Sequence, residues 1–535
     1  MSTPADWWKH AVIYQIYPRS YQDSNNDGIG DIPGITSRLE YIAGLGVDGI
    51  WISPFFPSPM KDFGYDVSDY RNVDPLFGSL EDFRTLLDKA HSLDLRIIID
   101  LVLSHTSDQH PWFQQSRMSK DNVKSDWYVW ADKKTGKNGG LAPPNNWVSV
   151  FGGSAWTFDE SRGQYYLHNF LREQPDLNYH NPEVQNEALD IARFWLDLGV
   201  DGFRLDTVNF YFHDRLLRDN PPRTEGVQFA TQLEVEVPYS QQQHIYDKSQ
   251  PENLTFLERL RTLMDQYPGT FTVGEIGDDH PYRLARIYTS GKKRLHCTYN
   301  THMMSGTLKD LTEDMIREPV EKFMDYKSKE SSEPGWPGWA FSNHDVVRAS
   351  SRWYKPFDHN PAFSKMLIAL LLCLPGMLFL YQGEELGLPE AEIPFDKLQD
   401  PWAKETWPHW QGRDGCRTPI PWSVKSPFCG FSRHEPWLPL PSAHGALAVS
   451  EQENKEGSVL TFTKNMIEWR KKAPALATPD CDFIRTSSTK LLHIIRGNPA
   501  SGEMECVFNL SGETVGYKNK TLKEYGFSLQ GWPES

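Results

Sequence analysis

The sequence predicts an α/β protein: a parallel barrel of eight strand–helix units, a large insertion after the third strand, and a small antiparallel β-domain at the C-terminus. Three observations carry this. Short β-branched and aromatic runs alternate with amphipathic helical stretches over most of the 535 residues. The alternation breaks over residues 105–178, which are rich in Gly, Asn, Pro and Trp and show no regular period. From about Gly457 the pattern turns to antiparallel β-type runs. An open doubly wound sheet gives the same alternation, so periodicity alone leaves it as a competitor.

AVIYQIY (11–17) reads as the first strand and residues 35–45 as a helix. DGIWIS (48–53) is the second strand, followed by the helix LEDFRTLLDKAHSL with Phe83, Leu86, Leu87 and Ala90 on one face. LRIIIDLVL (95–103) is apolar on both faces, as a covered parallel strand requires. After the insertion the alternation resumes with a helix over 184–198 and the strand GFRL. FTVGE, HCTYN, WAFSN and MLFLYQ complete the set of strand candidates. A helix over 462–472 then leads into KLLHIIRG and EMECVFNL. These readings divide the chain into a first barrel part (1–104), the insertion (105–178), a second barrel part (179–456) and the β-domain (457–535).

The formal net charge of -16, with no basic stripe to offset it, argues against nucleic acid and anionic membrane surfaces, whose phosphates would be repelled. Aromatic residues make up 13% of the chain, including 19 Trp. Their flat faces suit sugar rings, although tryptophans also simply fill large cores. The six cysteines are scattered, with no CxxC pair or metal-like spacing, which fits reduced, buried thiols. The N-terminus lacks a basic start followed by a long apolar run, so the cytoplasm is the expected compartment. The longest apolar stretch, 366–380, contains Pro375 and Gly376 and is too short to span a bilayer.

Several strands finish on an acid. RIIID ends on Asp100, GFRLD on Asp206 and FTVGE on Glu275, and the strand before SNHD reaches Asp345. In a barrel these ends converge on the face where active sites sit. Any one of them could instead cap the next helix. Several together, with Arg204 and His344 beside them, are costly unless chemistry needs them. Glycoside hydrolysis is the chemistry that uses such a cluster. One carboxylate attacks the anomeric carbon while a second, kept protonated, donates to the leaving oxygen. Which carboxylate does which does not follow from the sequence pattern.

The segments DLVLSH (100–105), GFRLDTVNF (202–210), VGEI (273–276) and SNHD (342–345) resemble the ordered motifs of the α-amylase superfamily, glycoside hydrolase family 13. GVDGIWISP, QPDLN, YQGEELG and GRDGCRTPIPW support the likeness, which is greatest to bacterial α-glucosidases and oligo-1,6-glucosidases and spans nearly the whole chain. It implies a catalytic barrel, a B domain inserted after the third strand and a C-terminal β-domain. By motif it implies Asp206 as nucleophile, Glu275 as general acid/base and Asp345 as transition-state stabiliser, with Arg204 orienting the nucleophile. His105 and His344 would bind sugar hydroxyls, and Asp100 would support the site. In KDFGYD, Asp62 and Tyr65 match residues that grip the non-reducing glucose, and Arg413 matches the partner of Asp62 across the pocket. Such a clamp closes the cleft and implies exo action; Phe151 and Phe170 are assigned to the same pocket. Thr207, following the nucleophile where α-1,6-preferring relatives carry Val, implies α-1,4 preference. The substrates implied are small α-glucosides, maltose and short malto-oligosaccharides, acted on by a monomer or homodimer.

DSNNDGIGD (23–31) offers Asp23, Asn25, Asp27, the carbonyl of Ile29, and Asp31 around a glycine, an oxygen set suited to Ca²⁺ or Mg²⁺. It is not an EF-hand, since Gly34 stands where the bidentate Glu would be, and Asp-Asn-Gly runs also make ordinary turns. The similar loop of oligo-1,6-glucosidases implies a structural divalent cation and no organic cofactor. Two features bear on the acceptor side. LHCTYNTHMM (295–304) departs from the aromatic–Phe–Asp pattern of the family, and residues 214–244 are long enough to roof the leaving-group side. Sucrose- or trehalose-active transferases and isomerases of the same family are the rival reading. A non-catalytic transporter-ancillary or glucan-binding protein is a remote one.

Overall fold

In the computed structural model, which describes residues 6–136, 140–223, 238–304, 311–325, 335–354, 358–408 and 410–532, eight parallel strands close into a barrel. They are β1 (Val12–Ile16), β2 (Gly49–Ile52), β3 (Arg96–Leu101), β4 (Gly202–Leu205), β5 (Phe271–Glu275), β6 (Cys297–Asn300), β7 (Pro337–Ala340) and β8 (Met377–Tyr381). Each pairs with its neighbours in sequence, and β8 returns to β1 through Val12 opposite Leu378. The open-sheet alternative is thereby excluded.

Side chains alternate along each strand between the barrel interior and the helix layer. Ile13, Trp51, Ile98, Val273, Tyr299 and Phe379 fill the interior, while Val12, Ile50, Ile97, Ile99, Phe203 and Leu205 face the helices. The same period continues into the site. Asp100 lies two residues beyond Ile98, Glu275 two beyond Val273, and Asp206 two beyond Arg204, so these polar groups take the inward positions at the carboxyl end.

The helix Leu80–Ser92 begins in a capping box of Ser79 and Asp82 and buries Phe83, Leu86, Leu87 and Ala90. The run expected as one helix over 35–45 is instead two short ones, Ile32–Ser37 and Leu39–Ala43. The break falls at Arg38, which leaves helical geometry while its guanidinium binds Gln22 Oε1 and stacks on Trp422. β7 ends earlier than WAFSN suggests, because the Phe341 carbonyl accepts from the Arg352 guanidinium instead of a neighbouring strand.

The aperiodic insertion contains the helix Pro111–Met118 and a three-stranded antiparallel sheet, with Gln164–Leu167 between Trp130–Ala131 and Trp156–Asp159. Trp147, Trp156 and Leu167 lie in its own small core. At the other end of the chain, Cys481–Phe483, Leu491–Asn498, Gly502–Asn509 and Phe527–Leu529 form an antiparallel sheet. The helix Val459–Lys472 joins it to the barrel, with Arg470 donating to the carbonyls of Leu374 and Gly376 at 3.3 Å. All six cysteines are free, four of them buried. The apolar run 366–380 divides between the buried helix Pro361–Cys373 and β8, and among the described residues no helix is long and apolar enough to cross a membrane.

Candidate active site

Arg204 organises the carboxyl end of the barrel. It sits on β4 opposite Asp100 of β3 and Val273 of β5, so its guanidinium reaches both neighbouring strands. Nη1 donates to Asp100 Oδ1 at 2.8 Å and to Asp206 Oδ1 at 2.6 Å, while Nη2 donates to Glu275 Oε2 at 2.6 Å. One buried cation therefore ties three carboxylates together. Losing the guanidinium would leave three buried carboxylates without a counter-charge in a low-dielectric setting.

The environments of Asp206 and Glu275 differ in detail. Asp206 also accepts from the Thr207 hydroxyl at 3.1 Å. Glu275 places Oε2 against Arg204 and the Thr207 amide (3.4 Å), and among the described residues Oε1 has no hydrogen-bond partner. Burial, opposed by Arg204 and reinforced by Asp206, pushes Glu275 up to about 7. Burial raises Asp206 less high, to about 6, again against Arg204. Thr207 itself has φ 38°, a left-handed backbone that a β-branched residue rarely adopts. That turn aims its amide at Glu275 and its hydroxyl at Asp206.

His344 and Asp345 follow β7. Gln15 Nε2 donates to His344 Nδ1 at 2.8 Å, which leaves the ring proton on Nε2, 2.6 Å from the Tyr65 hydroxyl. Tyr65, stacked on the ring, donates its hydroxyl hydrogen to Asp100 Oδ2 at 3.1 Å. Burial keeps His344 neutral, pushing it down to about 3, and holds His105 near 4. His105 Nε2 donates to the Tyr65 carbonyl at 2.9 Å, and its ring packs on Phe170. Burial would raise Asp345, but the guanidiniums of Arg413 and Arg417 outweigh it and hold the carboxyl well below its usual range.

Arg413 closes the cavity. Its Nη2 donates to Asp62 Oδ1 at 2.9 Å and its Nη1 to Asp345 Oδ1 at 3.3 Å, with both Asp62 and Arg413 about 5% exposed. Gln174 holds the other oxygen of Asp62 at 3.3 Å. Phe151, with the Arg413 guanidinium over its ring, packs between Phe170 and Trp402 on the same wall. Asp62, Tyr65, His105, Phe151, Phe170, Asp206, Thr207, Glu275, Asp345 and Arg413 all line one cavity, while Arg204 and His344 lie beneath its floor.

Sequence reasoning missed several members. Asp400 grips Arg413 through Nε (3.1 Å), Nη2 (2.9 Å) and the backbone amide (2.8 Å). Arg417 donates to Asp345 Oδ1 at 2.9 Å and to the His344 carbonyl at 2.6 Å. Gln174 and Arg417 lie inside motifs already singled out, whereas Asp400 carries only the signature of a helix cap, which it also is. Lys248, Tyr239 and Phe210 also line the cavity, with the Phe210 ring 5.3 Å from that of Phe170. Of the long segment 214–244, residues 224–237 lie outside those described.

The loop after β1 stands apart from this cavity. Asp23 accepts the amides of Asn26 (2.6 Å) and Gly28 (2.9 Å), Asn25 that of Asp27 (2.9 Å) and Asp27 that of Ile29 (2.8 Å). Asp31 caps the helix Ile32–Ser37 through Gly34 and holds Ser24 twice through Oδ2. Among the described residues no three His, Cys, Asp or Glu side chains gather into a cage.

Residues 15–479 match the family model of the α-amylase catalytic domain. The chain belongs to the α-amylase family of glycoside hydrolases. A probable α-glucosidase of Rhizobium meliloti (strain 1021) is 52% identical over 511 residues, 95% of this chain and 90% of that protein. An oligo-1,6-glucosidase of Parageobacillus thermoglucosidasius is 37% identical over 89% of this chain and 86% of its own. Among solved structures, the α-glucosyl transfer enzyme XgtA superposes with a TM-score of 0.92 at 48% identity, covering 99% of each chain. This α-amylase-family enzyme is thus an α-glucosidase-like glycoside hydrolase, with the barrel, the insertion and the C-terminal sheet aligned over its full length.

Proposed function

We propose that the enzyme is a retaining, exo-acting α-glucosidase that releases glucose from the non-reducing ends of maltose and short α-1,4-linked oligosaccharides. The carrying observation is one guanidinium, that of Arg204, hydrogen-bonded to both Asp206 and Glu275 at the base of a cavity that Asp62 and Arg413 close. In this reading Asp206 attacks the anomeric carbon and forms a glucosyl ester. Glu275, raised far enough to be partly protonated at neutral pH, gives its proton from Oε1 to the departing oxygen, then takes one from the incoming water. Asp345, held ionised by two arginines, stabilises the positive charge that develops on the ring. His105, Tyr65 (oriented by His344 beneath it) and the Asp62–Arg413 clamp bind the hydroxyls of the terminal glucose. Thr207, which lines the cavity beside Asp206 where α-1,6-preferring relatives carry Val, supports α-1,4 over α-1,6 linkage.

Transfer to a second sugar is the reading to set beside hydrolysis. The ester intermediate is the same, the wall formed by Phe151, Phe170 and Trp402 is apolar, and a solved relative is named for glucosyl transfer. Proton NMR of first products from maltose, isomaltose, sucrose and trehalose tests both. The expected result is α-glucose appearing first, with maltose consumed faster than isomaltose. New disaccharide signals would report transfer, and β-glucose first would remove Asp206 from the role of nucleophile.

We also propose a structural Ca²⁺ or Mg²⁺ for the loop after β1, whose acids, not gathered into a cage in this structure, would draw together around it. The oxygens of Asp23, Asn25 and Asp27 each accept a single hydrogen and keep a lone pair for a hard cation, beside the Ile29 carbonyl; Asp31 is the most heavily engaged of the set. The ion would brace the loop and take no part in the chemistry. Thermal unfolding in EDTA and in millimolar Ca²⁺ should then differ by several degrees, as binding to the native state alone requires. Identical midpoints would remove the site.

A further inference from the structure

The outer wall of the cavity carries a cation that the chemistry above does not use. Lys248 is only 4% exposed, yet its ammonium makes one hydrogen bond, to the Tyr239 hydroxyl at 2.8 Å. Among the described residues no carboxylate lies within ion-pair distance of it. The ammonium lies over the faces of Phe210 (5.1 Å) and Tyr239 (5.2 Å), which offset part of its burial cost. A buried lysine with unspent donors is expensive unless something completes it.

The neighbourhood holds this ammonium still. The His244 ring stacks on Tyr239 with centroids 3.6 Å apart. Its Nδ1 lies 2.5 Å from Asp247 Oδ2 and its Nε2 2.8 Å from the Tyr239 carbonyl, so both ring nitrogens are anchored. Ser249, the next residue after Lys248, donates its amide to the Asn209 carbonyl at 2.7 Å and its hydroxyl to Asp278 at 2.5 Å. Both anchors follow barrel strands that carry Asp206 and Glu275, so Lys248 is fixed relative to the reacting carboxylates.

Position decides what the free donors meet. Lys248 borders the catalytic cavity and also a second groove that runs outward past Gln250 and Arg283. If the closed end of the cavity, at Asp62 and Arg413, takes the terminal glucose, Lys248, which borders both this cavity and the second groove, is placed toward the unit beyond the scissile bond. Asp278 and Asp279 line the same stretch, so the local field disfavours an anionic acceptor such as a sugar phosphate. Neutral hydroxyls remain.

We propose that Lys248 is the specificity residue of the leaving-group side, donating to hydroxyls of the sugar next to the cleaved glucose. This rests on the α-glucosidase reading above. A charged hydrogen bond lost from that sugar lowers kcat/KM by about 10- to 100-fold. A leaving group without hydroxyls escapes most of that loss.

The experiment compares kcat/KM for maltose and phenyl α-glucoside in the native enzyme, Lys248→Met and Tyr239→Phe, with thermal unfolding of each. In Lys248→Met the maltose-to-phenyl ratio should fall about 10-fold or more. Tyr239→Phe, which frees the ammonium without removing it, should shift the ratio the same way by less. An unchanged ratio in a folded Lys248→Met variant overturns the proposal, as does an equal fall on both substrates. A native enzyme inactive on both would instead overturn the α-glucosidase reading itself.

Discussion

Asp206→Asn should reduce turnover of maltose by about 10⁴-fold or more, the scale on which removal of a nucleophile acts, while leaving the fold intact. The amide is nearly isosteric, and Arg204 keeps Asp100 at 2.8 Å and Glu275 at 2.6 Å, so the guanidinium is not stranded. The stability effect follows from the sign of the shift. Burial raises Asp206, so its ionised form is disfavoured in the native state, and that cost grows as pH rises above the unfolded carboxyl value. A neutral side chain removes the cost. The melting temperature at pH 7 should therefore equal or exceed that of the parent protein, in contrast to the collapse of activity. Steady-state rates on maltose and a melting curve, taken together, check this. Activity within tenfold of the parent would end the assignment of Asp206, and a lower melting point with lost activity would point to a structural role.

The barrel was legible because each strand is a β-branched or aromatic run whose inward and outward residues obey a period of two. The run RIIID shows it: Ile97 and Ile99 face the helices, and Ile98 and Asp100 face the interior. The insertion hid its strands because they are two to four residues long, too short to display any period. The break at Arg38 was invisible for another reason. Its cause is a contact with Gln22 and Trp422, one near in sequence and one far.

The site divides along the same line. Asp206 and Glu275 sit at strand ends, where position marks them, while Asp345 lies in the loop beyond β7. The Asp62–Arg413 pair spans 351 residues and entered only through family likeness, and Asp400, which fixes Arg413, reads in sequence as an ordinary helix cap. Lys248 had no local signature at all. Its meaning comes from being buried with no carboxylate in ion-pair contact among the described residues, which only the packed structure reveals.

Glu275→Gln separates the two halves of the mechanism. A substrate with a poor leaving group needs the proton, so maltose turnover should fall by about 10²- to 10⁴-fold. Glucosyl fluoride, whose leaving group departs unaided, should react far faster with this variant than maltose does, and the ester should accumulate because its hydrolysis has lost the base. The pH profile adds an independent reading. In the parent enzyme activity falls in acid as Asp206 takes up a proton, and falls in alkali as Glu275, raised to about 7, gives its proton away. In the variant the alkaline limb should vanish for glucosyl fluoride. The acid limb should persist at about the same pH, since Glu275, raised to about 7, is already mostly protonated where Asp206 titrates and a Gln is no more neutral. Stopped-flow release of fluoride across pH 4–9 measures all three effects. A surviving alkaline limb, or equal loss on both substrates, would place the acid on another group, and the unpartnered Oε1 of Glu275 would then need a different explanation.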